Sequence, residues 1–221
     1  MKECLIVCNG HLTKKELSQF TKFNKPRRAI TIIACDGASD FLKTAGVIPN
    51  VIIGDLDSAK PETLKYFSKK KVTIKLVKDQ NRNDLEKAIM FALSKNFRVI
   101  NIIGLSGKRL DHTLNNLSIL KKFHRKAKIK IYENGFIGEL INKSAEFESN
   151  AGDIVSLVPL PKAVGITTKG LKYPLKNGTL EFGVREGALN EAVEKNFYVK
   201  IKQGVLLVLI GSARVSAKQE Y

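Results

Sequence analysis

The sequence is poor in the residues that build disulfide or zinc frameworks. Its 221 residues include three cysteines and three histidines, and no two cysteines form a CxxC pair. The histidines stand at no metal-ligand spacing from the cysteines, so we expect no structural zinc site. An odd number of cysteines without such pairs fits a reducing compartment, and we therefore expect a cytoplasmic protein.

Long apolar runs are also missing from the sequence. The first apolar run, Cys4–Cys8, stops at Asn9 and is too short for the core of a signal peptide or for a membrane span. The hydrophobic fraction of 43% and the charged fraction of 27% are those of an ordinary folded chain. We expect a soluble protein that does not bind a membrane.

Acidic residues are scarce relative to basic ones, with 21 Asp and Glu against 38 Lys and Arg and a net charge of +17. Clustered basic residues can mark a nucleic-acid surface because they neutralise phosphates. The dense basic clusters here are only Lys69–Lys71 and Lys121–Lys130, and most of the other basic residues are scattered over presumptive helix surfaces. We expect no nucleic-acid partner, although the same positive field would attract anionic ligands such as nucleotides.

Up to about Glu133, short apolar runs alternate with helix-like segments. This alternation predicts an α/β fold, a mainly parallel sheet with helices on both faces. The candidate strands are Leu5–Cys8, Ala29–Cys35, Val51–Ile53, Val72–Val77, Val99–Ile103 and Ile129–Tyr132. The candidate helices are Pro61–Ser68, Asp84–Ser94 and Leu110–Phe123.

After about Phe136 the pattern changes to strands separated by turn residues, without a strong helical period. We predict two domains, an α/β domain over residues 1–135 and a smaller all-β sandwich domain over residues 136–221. Asn177-Gly178 is a dipeptide preferred in tight hairpin turns. The run Phe197–Lys202 alternates apolar and polar side chains, as expected for a strand with one solvated face.

Two carboxylates directly follow the candidate strand Val51–Ile53, at Asp55 and Asp57. Ligands of an open α/β sheet bind beyond the carboxyl ends of its strands. Residues two positions apart point the same way if the backbone stays extended, and paired carboxylates suit a hard cation such as Mg²⁺. The alternative is a solvated turn in which Asp57 or Ser58 caps a helix.

Two other strand ends carry acidic residues as well. Asp36-Gly37 follows the candidate strand that ends at Cys35, and the segment Asp79–Asp84 follows the strand that ends at Val77. Either Asn83 or Asp84 would also serve as an ordinary N-cap for the helix that follows. The repetition of acids at one edge of the sheet is therefore the informative feature.

A fourth strand end opens the segment Gly104–His112, which contains two glycines and the basic pair Lys108-Arg109 at the start of a helix. A helix amino terminus favours anions, and basic side chains favour phosphate. The segment is neither a P-loop nor a GxGxxG fingerprint. Acids, glycines and a basic pair at four strand ends together suit metal-assisted phosphoryl or pyrophosphoryl transfer.

In order and spacing, these four segments resemble the motif series of thiamine pyrophosphokinases. The segments are Asp36–Ser39, Gly54–Ser58, Asp79–Ala88 and Gly107–His112. Farther along, Gly165–Tyr173 and Leu180–Gly183 are similar to the carboxyl-terminal signature of that family. The resemblance extends over nearly the whole chain.

The resemblance implies transfer of pyrophosphate from ATP, the co-substrate, to the hydroxyl of thiamine, giving thiamine diphosphate and AMP. It also implies Mg²⁺ as cofactor, an ATP-binding catalytic α/β domain and a thiamine-binding β-sandwich domain. The family further implies a homodimer, with thiamine bound where the α/β domain of one subunit meets the β domain of the other.

The same resemblance assigns roles to individual residues of this chain. Metal binding and catalysis are assigned to Asp55, Asp57 and Asp84. Contacts to ATP are assigned to Asp36, Gly37, Asp79, Gly107, Arg109 and Asp111. Contacts to thiamine are assigned to Thr168, Tyr173 and Asn190.

The chain departs from the family pattern at several positions. Asn81 stands where the family often has a second Asp, Asn83 where it has Thr, and Leu189 interrupts the usual Ser-x-Ser-Asn. Two alternatives therefore stay open: a pyrophosphokinase for another hydroxymethyl heterocycle such as a pterin, and a catalytically silent nucleotide-binding module. The β domain argues against the pterin alternative.

Overall fold

The structure is a computed structural model that describes residues 1–23 and 30–212. It divides into two compact units, of which the first is Met1–Glu133 and the second begins at Asn134. The domain boundary predicted from the sequence lies after residue 135.

Within the described residues, the first unit contains one sheet of parallel strands. The strands are β1 Lys2–Val7, β2 Thr31–Cys35, β3 Val51–Gly54, β4 Thr73–Leu76, β5 Phe97–Ile103 and β6 Lys128–Glu133. They pair in the order β4-β3-β2-β1-β5-β6. The predicted parallel sheet is thus confirmed. Ala29, placed at the start of the second predicted strand, lies outside the described residues.

The central strands β1, β2, β3 and β5 are rich in buried apolar side chains, and Ile6, Ile33, Ile52 and Ile100 are fully buried, whereas β4 is largely exposed. A parallel sheet is covered on its faces by helices, so its strands read as continuous apolar runs rather than alternating ones. Full burial of one such side chain stabilises the fold by about 1.5–3 kcal/mol. These runs were therefore the strongest strand signals in the sequence.

Five helices accompany the sheet in the described part of the first unit. They are α1 Lys14–Phe23, α2 Ala38–Thr44, α3 Pro61–Lys69, α4 Asp84–Ser94 and α5 Leu110–Phe123. The predicted bounds of α4 and α5 are confirmed, and α3 runs one residue beyond its predicted end. Helix α4 packs on β1, β2, β3 and β5 through its predicted apolar face. Among the described helices, none combines the length and apolar character needed to cross a membrane.

The sequence prediction omitted α1 and α2. Helix α1 begins with a capping box, in which Thr13 Oγ1 accepts a hydrogen bond from the Glu16 N–H at 3.1 Å. The Glu16 carboxylate in turn accepts one from the Thr13 N–H at 2.9 Å. A Thr followed three residues later by Glu is a readable signal for a helix start. Helix α2 is short, and no comparable signal precedes it.

The strand order reverses between β1 and β5, because the chain runs from β1 through β2 to β4 on one side and then crosses to β5 on the other. The loops that follow β1 and β5 therefore leave the sheet in different directions. A crevice opens between such loops at the carboxyl edge, where α/β proteins bind ligands.

The described part of the second unit is built from strands alone. These are β7 Phe136–Ile141, β8 Ala145–Glu148, β9 Ile154–Lys169, β10 Gly178–Glu181, β11 Gly187–Glu191, β12 Asn196–Lys200 and β13 Gln203–Gly211. The long strand β9 pairs with β10, β11, β12 and β13, all antiparallel. A β-rich domain thus follows the parallel α/β sheet, as predicted.

The core of the second unit forms between side chains from the two ends of β9 and its partner strands, including Val155, Ile166, Phe197 and Leu206. The predicted strand Phe197–Lys202 corresponds to β12, in which Phe197 and Val199 are buried while Lys200 is exposed. The alternating pattern therefore identified the solvated face correctly.

The dipeptide Asn177-Gly178 does not close a two-residue hairpin turn, so that prediction is wrong. Asn177 does adopt the left-handed backbone expected of it, with φ 51°. The connection between β9 and β10 is nevertheless the longer loop 170–177. Hydroxyl groups of β9 hold this loop, since Thr168 Oγ1 accepts from the Leu175 N–H at 2.8 Å and Thr167 Oγ1 from the Asn177 N–H at 3.1 Å.

Candidate active site

A cavity of about 790 Å³ lies at the carboxyl edge of the parallel sheet. Its walls come from the ends of β1, β2, β3 and β5 and from the first turns of α4 and α5. This is the topological switch point of the sheet, and the volume is that of an ordinary small-molecule site. Predicted site residues among its lining are Asp55, Asp57, Asp84, Arg109 and Asp111.

Three carboxylates meet here, of which Asp55 and Asp84 line the cavity and Asp36 is fully buried. Oxygen atoms of Asp36, Asp55 and Asp84 lie within 4.8 Å of one another, a group that could hold a metal ion. The neighbouring parallel strands β2 and β3 pair Cys35 with Ile53, so the acids just after the two strands end side by side. We call these three residues the acidic group.

Gly54 makes the meeting of these carboxylates possible. A Cβ atom at this position would stand 2.9 Å from the Asp36 side chain and 3.1 Å from Asp84 Oδ1. Real Cβ contacts are longer, so any larger residue would push the acids apart. The glycine before Asp55 therefore has a steric explanation in the packing of the acidic group.

Asp57 lines the cavity but is not a member of the acidic group. Leu56, between Asp55 and Asp57, has a left-handed backbone with φ 65°. The premise that an extended backbone points both carboxylates the same way is therefore wrong. Asp57 Oδ1 accepts a hydrogen bond from the Ser58 hydroxyl at 3.0 Å. A role for Asp57 in metal binding stays a prediction.

Among the described residues, Lys87 is a cation that contacts the acidic group. Its side chain is 3% exposed, and its Nζ lies 3.0 Å from Asp84 Oδ1 and 3.5 Å from Asp55 Oδ2. Burial alone would lower the pKa of Lys87, but the hydrogen bond and charge of Asp84, helped by Asp55, raise it. A buried ammonium is tolerated because it is paired with carboxylates.

The acidic group still carries more negative charge than Lys87 offsets. Burial, and next the charge of Asp84, raise the pKa of fully buried Asp36 to about 6, although N–H groups of Gly37 and Ser58 oppose the shift. Burial would also raise the pKa of Asp55, but a hydrogen bond with Asp57 and the Lys87 charge lower it overall. A hard cation bound here would relieve the repulsion that raises the pKa of Asp36.

The first turn of α4 places Asp84 in the cavity wall. Asn83 is the N-cap, and its Oδ1 accepts from the Glu86 N–H at 3.0 Å, which confirms one of the two predicted caps. Asp79 is not among the lining residues of the cavity. Its Oδ1 accepts from the Asn81 N–H at 2.9 Å, and its carboxylate pairs with Arg82, so it shapes the turn before the cap.

Basic side chains lie along the wall formed by the start of α5. The exposed Arg109 guanidinium makes two hydrogen bonds to Asp111, of 3.1 Å and 2.5 Å. The hydrogen bond with Arg109 lowers the pKa of the Asp111 carboxyl to about 2. Lys108 Nζ donates to Asn9 Oδ1 at 2.7 Å. An anionic ligand in the cavity would therefore find two cationic groups beside it.

The glycines of the predicted ATP site have packing roles in this structure. Gly107 has φ 100°, and a Cβ there would stand 2.4 Å from the His11 Cβ. A Cβ at Gly37 would stand 2.1 Å from Asn9 Nδ2. Neither glycine is among the lining residues of the cavity. Close packing against Asn9 and His11 already explains why these positions are glycines. Their contact with ATP stays a prediction.

Two of the three residues predicted to contact thiamine line a second cavity, of about 340 Å³, within the second unit. Tyr173 and Asn190 hold each other there: Asn190 Oδ1 accepts from the Tyr173 N–H at 3.1 Å, and Asn190 Nδ2 donates to the Tyr173 carbonyl at 2.7 Å. The Tyr173 side chain is left 64% exposed. Thr168 is buried beneath the loop 170–177 and does not line this cavity.

Two family models match the chain. The catalytic domain of thiamin pyrophosphokinase matches residues 25–132, and the vitamin B1 binding domain of thiamin pyrophosphokinase matches residues 141–206. The chain belongs to the thiamine pyrophosphokinase family. The two matched domains fall in the two units of the structure, in the same order.

Individual members of this family are similar over most of the chain. A thiamine pyrophosphokinase of Bacillus subtilis is 28% identical over 190 residues, which is 80% of this chain and 85% of the relative. Thiamin pyrophosphokinase 1 of Caenorhabditis elegans is 25% identical over 221 residues, covering 92% and 88%. The crystal structure of the Bacillus subtilis protein matches the fold with a TM-score of 0.82 at 24% identity, covering 96% of this chain and 99% of that one.

Several residues at the candidate site of this thiamine pyrophosphokinase family member were not assigned a role from the sequence. Lys87 lies one helical turn after Asp84, a spacing that places both side chains on one helix face. Asn116 stands on the buried face of α5 with Leu120 and Phe123, and a polar residue on an apolar face needs a partner. Both signals were readable from the sequence. Glu133, which binds the loop after β5, gave no signal of its own.

Proposed function

We propose that this protein transfers a pyrophosphate group from ATP to the hydroxyl of thiamine, which yields thiamine diphosphate and AMP. The observation that carries the proposal is the match of one chain to both a catalytic and a vitamin B1 binding domain of one family. The cavity of the first unit supports it, because it combines the acidic group with basic side chains. The first unit would bind ATP and the second unit thiamine.

The residues at the cavity fit a magnesium ion. Asp55 and Asp84 would hold it, with Asp36 or Asp57 as a third carboxylate, and all of these donors are the oxygen ligands that Mg²⁺ prefers. When bound, Mg²⁺ would offset the charge that develops on the transferred phosphoryl groups. Lys87 would hold the Asp55 and Asp84 side chains in place from the protein side.

The basic residues of the cavity would bind the polyphosphate of ATP. Arg109 can contact phosphate oxygens in a bidentate manner, and Asp111 would orient its guanidinium until the nucleotide arrives. Lys108 would add a second positive charge. The other residues predicted to contact ATP would act on the shape of this wall, and these are Asp36, Gly37, Asp79 and Gly107.

The reaction also requires that the thiamine hydroxyl lose a proton as its oxygen attacks the β-phosphorus of ATP. A carboxylate of the acidic group would accept that proton while the bond to the AMP oxygen breaks. The several carboxylates at the cavity give this step a general base without a histidine.

Thiamine would bind to the second unit beside Tyr173 and Asn190. Thiamine is flat and cationic, so the exposed Tyr173 ring can hold it by stacking and by cation–π attraction. Asn190 would fix the backbone of Tyr173. Thr168 would support the same loop through its bond to Leu175. We also propose that the protein is cytoplasmic and forms a homodimer. A mass measurement by light scattering tests the dimer.

An assay of AMP release tests the proposed function. Purified protein with ATP and Mg²⁺ should release AMP when thiamine is added and should not do so with a hydroxymethylpterin. Chelation should stop the reaction, and added Mg²⁺ should restore it. AMP release only with the pterin would indicate the alternative substrate, and ATP binding without AMP release would indicate a silent nucleotide-binding module.

A further inference from the structure

Two separate segments of the cavity wall are joined by the side chain of Asn116. We call Gly104–Arg109 the β5 loop and Asn83-Asp84 the α4 corner. Asn116 Nδ2 donates to the Leu105 carbonyl in the β5 loop at 2.8 Å. Its Oδ1 accepts from Asn83 Nδ2 in the α4 corner at 2.9 Å. Asn116 itself is only 8% exposed; its hydrogen bond to Leu105 is buried, and the one to Asn83 is partly buried.

The hydrogen bonds around Asn116 form a directional chain. Asn83 Oδ1 is used by the Glu86 N–H as the cap of α4, which leaves only Nδ2 of Asn83 to reach Asn116. Reversing either amide would set a donor against a donor or an acceptor against an acceptor. The chain therefore has one arrangement in which every member is satisfied, and buried polar networks of this kind hold their members in one geometry.

Glu133 also holds the backbone at Leu105, through N–H groups instead of the carbonyl. The Glu133 carboxylate accepts from the N–H of Leu105 at 2.8 Å and from the N–H of Ser106 at 3.2 Å. Glu133 thus fixes the β5 loop to the end of β6, while Asn116 fixes it to the α4 corner. These two contacts differ in kind, because only the Asn116 bridge connects the loop to the segment that carries Asp84.

We propose that Asn116 is a positioning residue that sets the separation between the β5 loop and the α4 corner. The inference rests on the proposed function, in which Arg109 of the loop and Asp84 of the corner act on one polyphosphate. A shift of about 1 Å between catalytic groups can cost about 100-fold in rate. Loss of the bridge leaves both segments folded but lets their spacing vary.

A double-mutant cycle tests this bridge. Asn116→Ala removes both bonds, while Asn83→Ser keeps an oxygen for the α4 cap and removes only the Nδ2 donor. We expect each single variant to raise the KM for ATP by about 10-fold, with the KM for thiamine nearly unchanged. The double variant should be no worse than about 10-fold, since both changes break one bridge. Independent effects, which multiply to about 100-fold, would overturn the proposal.

Asn101→Ala is the matched control. Asn101 is fully buried in β5, where its Nδ2 donates to Glu3 Oε1 at 2.7 Å and to the Cys4 carbonyl at 3.1 Å, away from both segments. This variant should lower Tm without changing the KM for ATP. An equal rise in KM for Asn101→Ala would reduce the Asn116 effect to general destabilisation and overturn the proposal.

The proposed function and this inference can fail separately. If the wild-type protein releases no AMP with thiamine, the proposed function fails, and ATP affinity of the four cycle members is then measured by calorimetry. Non-additive loss of ATP affinity would still support the bridge, and additive or absent loss would overturn it. Asn83→Ser keeps its helix cap, so the cycle retains an informative single variant if Asn116→Ala does not fold.

Discussion

The two candidate cavities of this protein hold their polar groups in different ways. In the first unit, the buried side chain of Lys87 is paired with the partly exposed carboxylates of Asp84 and Asp55. In the second unit, Tyr173 is held through its backbone, and its ring is left exposed. Groups that perform chemistry need fixed geometry, whereas a recognition surface on a loop can present side chains to solvent.

The Lys87 ion pairs of the first unit are less exposed than the pair of Lys172 and Glu191 in the second. Lys87 is enclosed, so removing a partner would leave a buried charge uncompensated, which is costly. The pair of Lys172 and Glu191 in the second unit is half exposed at 2.9 Å. An exposed pair of this kind stabilises by only about 0–1 kcal/mol. Substitutions should therefore have large effects at the first cavity and small ones at the second.

The largest effect is expected for Asp84→Asn. This change keeps the shape of the side chain but removes the charge that pairs with Lys87 and faces Asp36. We expect kcat to fall by ~10²–10³-fold, because a preorganised electrostatic contact to the reacting groups is lost. Steady-state AMP release measures it, with Glu146→Gln on β8 as the control. A near wild-type kcat for Asp84→Asn would contradict the expectation that substitutions have larger effects at the first cavity than at the second.

Asp36→Asn and Asp57→Asn sharpen the assignment of the metal site. Asp36 belongs to the acidic group, whereas Asp57 lines the cavity outside it. If a residue binds Mg²⁺, its Asn variant should need about 10-fold more Mg²⁺ or higher for half-maximal activity. Titrating both variants with Mg²⁺ at saturating ATP compares them directly. A shift for Asp57→Asn alone would show that bound metal recruits Asp57 and not Asp36.

Tyr173 tests the second cavity, where a smaller effect is expected. Cation–π and stacking contacts contribute ~0.5–2 kcal/mol, so Tyr173→Ala should weaken thiamine binding by several-fold. ATP binding should stay nearly unchanged, because the candidate ATP contacts lie in the first unit. Tyr173→Phe keeps the ring and should be milder. Calorimetry with each ligand separates the outcomes: equal losses for both would indicate general destabilisation, and no loss for thiamine would place its site elsewhere.

The sequence was sufficient for the parts of the fold that depend on local patterns. The bounds of α4 followed from apolar spacing and capping, those of α5 were also predicted, and the buried strands followed from their apolar runs. Acids at neighbouring strand ends were also a sound guide, because parallel strands bring their carboxyl ends to one edge of the sheet.

Features that depend on contacts between distant segments could not be read from the sequence. The left-handed backbone of Leu56 breaks the extended geometry assumed between Asp55 and Asp57, and no local signal marks a leucine for that conformation. The closeness of Asp36 to Asp84 depends on the packing of α4 over Gly54. The hydrogen bonds of Asn116 and Glu133 join residues that are far apart in the chain, so their partners emerge only in the fold.

The smallest effect is expected for Glu133, a partly buried residue of the first unit, which tests whether a carboxylate held by backbone N–H groups influences the free energy of unfolding. Burial raises the pKa of the Glu133 carboxyl, although hydrogen bonds from Leu105 and Ser106 oppose the shift. With the folded pKa above the unfolded one, the folded state still holds a proton at a pH where the unfolded chain has lost it. The unfolded state then binds fewer protons, so Glu133 contributes less to stability as pH rises past its ordinary value of 4.5.

Chemical denaturation of wild type and Glu133→Gln between pH 4 and about 7 tests this expectation. The free energy of unfolding of the wild type should fall relative to that of the variant as pH increases. A constant difference between the two proteins would mean that the N–H groups of the β5 loop fully offset the burial of this carboxylate, and that the first unit holds this anion at no cost.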